Sequence, residues 1–296
     1  LGRGRRARNA GGRPMRPERH ALGPVTLELH DDELEGLATL TLGDPDRRNT
    51  MGPPMFDGLE AAILHLEART GASRFNPLQE APPTDVVRVI RVRGLGPAFC
   101  AGFDLGLLAD DPDPAQPLLA SFLKRLAGCM RRLRALPAVS MAVVHGPALA
   151  GGCGLVVACD VAIGCPASRL GYPVHAIGLS PAVSGVMLAA RVGAGATRRM
   201  FESGEILDGE TAHQIGLLQR FAPTADALQA HADTLVTELL AKGPHALAAT
   251  KRWLQQLDHS IDPKPGADAL AASLGGVGSA ESRAMLRQVW ESRRKS

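Results

Sequence analysis

Apolar and polar residues alternate over Val25–His30 and Leu37–Leu42, the period of two expected of strands with one face on a core. Val86–Val92 alternates Val and Ile with Arg in the same way, and Val139–Val144 is a continuous apolar run that fits a buried strand. A short strand is predicted over Val161–Ile163. The period changes to helical spacing over Met55–Glu67 and again over Pro117–Leu136, where Leu118, Phe122, Leu126, Met130 and Leu133 share a face. Ala148–Cys159 is small and apolar throughout, which predicts a tightly packed helix. Beyond Pro181 the pattern is mostly helical: Val183–Val192, Thr197–Glu202, Gly209–Ile215, Ala225–Ala241, His245–Leu257 and Ala280–Arg293. Strand and helix alternating, then helices alone, predict an α/β core with a helical C-terminal region. Thr70–Thr84 is rich in Pro, Asn, Ser and Gly and reads as a surface loop.

Composition bounds this picture. The chain has 296 residues, 45% of them hydrophobic, which suffices for a large core. Aromatic residues are only 3%, so that core rests on aliphatic side chains. No apolar run reaches the roughly 18–20 residues of a membrane helix, so no membrane partner is expected. The net charge of +3 is unevenly spread: residues 1–19 hold seven Arg and one Glu, leaving the rest slightly acidic. The body is therefore not a basic nucleic-acid-binding domain. Leu1–Pro14 is rich in Arg and Gly and is expected to be disordered. Met15 is expected to be the true start, with the preceding residues an upstream extension that intact mass of native protein would test. Arg5-Arg6 lacks the apolar stretch of an export signal. Five cysteines without a CxxC pair, mostly in apolar runs, predict buried thiols in a reducing cytoplasm.

Two segments stand out as candidate chemistry. Gly94–Leu105 follows a strand through a glycine-rich turn into Phe103-Asp104-Leu105. Val144–Leu155 leaves a strand through Gly146 and enters a helix through Gly151-Gly152-Cys153-Gly154. Glycine permits close backbone approach to a ligand. The start of a helix offers unpaired N–H donors and partial positive charge. Donors from two such loops make an oxyanion hole for an enolate or tetrahedral oxyanion. Neither segment matches a phosphate-binding loop or a dinucleotide fingerprint.

Together the segments resemble the enoyl-CoA hydratase/isomerase (crotonase) family. Phe99-Cys-Ala-Gly-Phe-Asp-Leu105 resembles its FxAGxDL stretch, and Pro137–Asp160 its P-strand-GxAxGGGxEL…CD stretch. Asp46–Thr50 looks like the family's RxNA segment. Gly171–Pro173 and Ile177–Pro181 look like GxPE…GxxP, and Gly204–Leu217 resembles a further family stretch. The resemblance implies an α/β fold of the ClpP/crotonase type, a spiral of ββα units followed by helices that build homotrimers or homohexamers. It divides the chain into an extension over 1–19, a spiral core over 20–222 and a helical region over 223–296. It also implies an acyl-CoA substrate, with coenzyme A entering as part of that substrate and no separate cofactor or metal. By carry-over, the oxyanion donors are the N–H groups of Phe103 and Gly151. Arg48, Asn49, Ala101, Gly102, Asp104, Gly152, Gly154 and Val174 fall on the substrate-binding stretches, with Asp104 as a brace of its turn. Arg293, Arg294 and Lys295 fall near the family's CoA-phosphate contact.

The sequence departs from the family where acid–base chemistry is done. A hydratase uses one glutamate to activate water and a second to deliver a proton. Their positions here hold Gly154 and Val174, and Ala182 stands where a family hydrolase carries an acid. His175, one residue beyond the second lost glutamate, is the candidate base. Tyr172 is a candidate proton donor, and Ser180 and Ser184 are nearby hydroxyls. His145 is expected to pack beneath the oxyanion loop, and Cys153 lacks a base that would make it a nucleophile. Isomerisation, decarboxylation and atypical hydration are the expected reactions. The alternative is a catalytically silent member that binds CoA thioesters or partner subunits. A Clp-like serine peptidase is excluded, because Gly151–Gly154 offers no serine.

Overall fold

The computed structural model describes residues 17–31, 34–70, 86–107 and 112–295. Seven strands form the main sheet: β1 (Glu18–Leu22), β2 (Val25–Leu29), β3 (Leu37–Leu42), β4 (Val89–Gly94), β5 (Val139–Val144), β7 (Val161–Gly164) and β10 (Arg220–Phe221), in that spatial order. β1, β2 and β3 pair antiparallel, and every pair from β3 onward is parallel. A second sheet joins β6 (Pro147–Leu149), β8 (Arg169–Gly171) and β9 (Ile206–Asp208).

Helices cover both faces, which is why β3 and β5 are buried at every residue. Val25, Leu27, Leu40, Leu42 and Val144 pack with residues of α1 (Pro53–Arg69), α2 (Pro112–Ala135) and α3 (Gly151–Ala158). On the other face Leu37, Val89, Met141 and Ile163 pack against Leu228, Leu235 and Val236 of α6 (Ala227–Leu240). Arg125 holds α1 to α2 through a two-pronged contact with Glu60 (2.8 and 2.7 Å) and one with Asp57 (2.6 Å), and Arg132 grips Glu67 the same way. The C-terminal region adds α7 (Pro244–Leu257), α8 (Pro263–Leu274) and α9 (Ala280–Lys295). α7 is anchored by Lys251, buried with its ammonium 2.7 Å from Asp160 and 2.8 Å from the Ala138 carbonyl.

The α/β core and helical C-terminal region are as the hydrophobic pattern predicts, and β3 and β5 have the predicted bounds. Several elements differ. Glu18 and Arg19 belong to β1 and pair with Leu29 and Glu28, so the expected unstructured stretch over 1–19 reaches two residues too far. Its first sixteen residues, with the Met15 expectation, lie outside the described residues, as does the predicted loop from residue 71 to 84. The predicted helix from Ala148 starts at Gly151, because Pro147–Leu149 pairs with Arg169–Gly171 instead. The two predicted helices Val183–Val192 and Thr197–Glu202 join as α4 (Gly185–Ser203), broken at Gly193 (φ 77°, ψ 166°). α5 (Gly209–Gln214) follows, capped by Asp208, which accepts from the Thr211 N–H at 2.8 Å.

Candidate active site

The two glycine-rich segments meet in one corner. β4 ends at Gly94, where a Cβ would overlap the carbonyls of Ala98 and Phe99 as the chain folds back. Asn49 fixes that fold. Fully buried, its amide donates to the carbonyls of Leu95 (2.9 Å), Ala98 (2.9 Å) and Phe99 (3.2 Å), and its oxygen accepts from the Asp44 N–H at 2.8 Å. After β5, His145 reaches back to the Gly96 carbonyl at 2.8 Å. A single parallel bridge then joins the segments: Cys100 N–H donates to Pro147 O (3.1 Å) and Leu149 N–H to Cys100 O (3.0 Å). Gly152 allows this, since a Cβ there would overlap the Cys100 carbonyl. Gly102, at φ +94°, passes so close that a Cβ would lie 3.0 Å from Leu149 O. Ala150 turns the chain into α3 at φ 49°, ψ −113°, a conformation ordinarily left to glycine.

Phe103 and Gly151 emerge side by side. A Cβ on Gly151 would sit 3.3 Å from the Phe103 ring. Both residues line a cavity of about 200 Å³. Among the described residues neither N–H donates to a protein acceptor, while their neighbours do: Ala101 to Arg48 O, Asp104 to Met51 O, and Ala150 to Gly171 O. The Gly151 N–H also opens α3, so it carries the positive end of that helix.

The rest of the lining is apolar. Leu105, Leu123, Leu126, Val174, Ile177, Leu179 and Val183 contribute side chains, and the polar ones are Tyr172, Ser180 and Ser184. Among the described residues, none of the lining carries a carboxylate, imidazole, ammonium or guanidinium group. Where the first family glutamate would stand, the space is filled: a Cβ on Gly154 would meet Ser184 Oγ at 3.0 Å and Met130 Sδ at 3.1 Å. Val174 lines the cavity at the second position.

Several expected contacts fall elsewhere. His175, the expected base, is exposed on the 3-10 turn Pro173–Ile177 and is not among the described lining residues, whereas Val174 before it is. Asn49 is fully buried, with both amide hydrogens directed at backbone carbonyls, and is not among the described lining residues. Gly102, Gly152 and Gly154 lie behind the lining, as close-approach positions rather than contacts. Asp104 is 7% exposed, ion-paired to Arg47 and accepting from the Gly106 N–H at 3.1 Å. Arg48 is exposed outside the cavity, at φ 53°. The side chains of Arg293, Arg294 and Lys295 lie outside the described residues. Ser180 accepts from the Ala182 N–H at 3.3 Å. Cys153 is buried beside Tyr172, and burial pushes its thiol up to about 12, which removes it as a nucleophile. Asn49 as a clamp and Met130 as a filler carry no signal in the residues around them, because both roles depend on neighbours distant along the chain.

Comparison with known proteins agrees with this geometry. The family profile described as enoyl-CoA hydratase/isomerase matches residues 32–273. A Thermus thermophilus protein provisionally named an enoyl-CoA hydratase is 33% identical over 221 residues, 75% of this chain and 81% of that protein. An enoyl-CoA isomerase/hydratase of Mycosarcoma maydis is 28% identical over 74% of this chain and 77% of its own length. The crystal structure of an enoyl-CoA hydratase/isomerase from Xanthobacter autotrophicus Py2 superposes with a TM-score of 0.76 at 25% identity, covering 93% of this chain and 98% of that one.

Proposed function

Because the chain belongs to the enoyl-CoA hydratase/isomerase family, we propose that it holds an acyl-CoA thioester with its carbonyl oxygen on the N–H groups of Phe103 and Gly151, and that it decarboxylates an α-carboxyacyl thioester. The observation supporting this reading is a cavity lined by Phe103 and Gly151, whose N–H groups have no protein acceptor, and by no carboxylate or imidazole among the described residues. Hydration needs a group to activate water, and isomerisation needs one to remove a proton. Loss of CO₂ needs neither, since breaking the Cα–carboxylate bond leaves the electron pair as the enolate. An apolar wall also disfavours the substrate carboxylate, which finds no cation there. As CO₂ departs, charge moves to the thioester oxygen, where the donors wait.

A silent thioester binder is the second reading, favoured by the same lack of acid–base side chains. Assembly as a homotrimer or homohexamer is supported by Trp253, Leu254 and Leu257, exposed together on α7. Five buried free thiols support a cytoplasmic setting.

The test is titration with several acyl-CoAs, then assay of methylmalonyl-CoA decarboxylation and crotonyl-CoA hydration. Decarboxylation is expected and hydration is not. Phe103→Pro, which deletes one donor, should cut turnover by about 10²–10³-fold. His175→Ala should leave it unchanged. Binding without turnover of any thioester selects the silent binder, and no binding sinks both readings.

A further inference from the structure

The chain has one tyrosine, Tyr172, and it lies in the cavity wall just after β8. It is 1% exposed, and its ring packs edge-on against Phe201, with centroids 5.0 Å apart at 81°. Its hydroxyl oxygen is buried and makes no hydrogen bond of good geometry among the described residues; its polar neighbours are the Cys153 thiol and the Ser184 hydroxyl. A thiol is a weak acceptor, so the fold holds this phenolic proton only loosely. Ser180 is engaged by the Ala182 N–H, and the Ser184 hydroxyl also sits 4.0 Å from Met130 Sδ.

We infer that Tyr172 is the proton donor of this site, delivering its phenolic proton to the α-carbon of the thioester enolate. The inference rests on the reading above that an enolate forms here. In balanced form, the Cα–carboxylate bond breaks, CO₂ leaves, and the electron pair is held as the enolate. The Oη–H bond of Tyr172 then breaks as the Cα–H bond forms. The phenolate regains a proton from solvent, so one proton is consumed for each CO₂ released. Burial, beside Cys153, raises the phenol well above its ordinary range. It therefore stays protonated at neutral pH, able to give a proton but not to wait as a base.

A single tyrosine gives a single ring signal, which makes the test direct. The protein, carrying tyrosine labelled with ¹³C at Cζ, is titrated with acetoacetyl-CoA, whose β-keto thioester carries enolate charge. The one signal is expected to move on saturation. Tyr172→Phe is expected to bind acetoacetyl-CoA within about threefold of the parent while methylmalonyl-CoA decarboxylation falls by about 10²–10⁴-fold. In D₂O the parent should place deuterium on one face of the α-carbon, and Tyr172→Phe on both. A saturated protein with an unmoved signal, or Tyr172→Phe turning over at the parent rate, overturns the inference and leaves the proposed function standing. A parent protein that binds thioesters but releases no CO₂ overturns decarboxylation and the proton-donor role together.

Discussion

One side of the cavity is lined by Phe103 and Gly151, where the two glycine-rich segments meet; the other is lined by residues from Tyr172 to Ser184. The backbone side is held by groups that touch no ligand. Asn49 clamps one turn, Gly152 lets the second segment lie on Cys100, and His145 ties the loops together. Each position is set by several others, so the N–H donors persist as long as the fold does. The side-chain side has no such linkage. Gly154 and Val174 hold none of the backbone contacts that fix the corner, and Met130 with Ser184 occupies the space beside Gly154. A function carried by main-chain atoms is thus protected by packing, whereas one carried by side chains is lost by single replacements. On the proposed reading, the result is a cavity that steadies negative charge on oxygen and, among the described residues, holds no group to withdraw a proton.

Four experiments test this contrast. The largest effect is expected from Gly152→Ala, whose methyl would strike the Cys100 carbonyl. It should cost about 3 kcal/mol of stability and abolish thioester binding. A melting curve and an acyl-CoA titration both near the parent would show that the frame is less tightly fixed than described. Alkaline unfolding comes next. Burial pushes the thiols of Cys100, Cys153 and Cys159 from 9.0 to about 12, and raises Tyr172. Above pH 9 the unfolded chain sheds these protons while the folded chain keeps them. Stability should therefore be unaffected by them below pH 9 and fall progressively between about pH 9 and 12. Melting temperatures that stay level across that range would contradict it. Gly154→Glu is third. It should destabilise by about 1–3 kcal/mol through contact with Ser184 and Met130, and should not by itself hydrate crotonyl-CoA. Hydration by that single variant would mean the filled space is easily vacated. The smallest effect belongs to Ala150→Gly, which relieves the positive φ and should raise stability by about 1 kcal/mol without changing turnover.

The main sheet was legible because its strands keep a strict period or a continuous apolar run, as Leu37–Leu42 and Val139–Val144 do. Pro147–Leu149 was not, because three residues carry no period and its partner strand lies twenty residues on. α8 was hidden by Pro263 and Pro265, which read as breakers but sit in a first turn, where a missing N–H costs no helical bond. At the site, the two glycine segments and the loss of both acids were plain in the residues. The direction of His175 was not, because the 3-10 turn that sets it has no mark in the sequence. Nor was the burial of Asn49, whose three acceptors lie 46 to 50 residues away.

That span has a consequence in time. The clamp closes only after β3, α1 and β4 have found one another, and the corner only when the loop beyond β5 has docked on Cys100. Non-local closures of this kind form late and slowly. A thioester held between Phe103 and Gly151 would thus bind only chains that have finished folding and would draw the population toward them by mass action. During synthesis, the supply of substrate would act as a chaperone for the protein that consumes it.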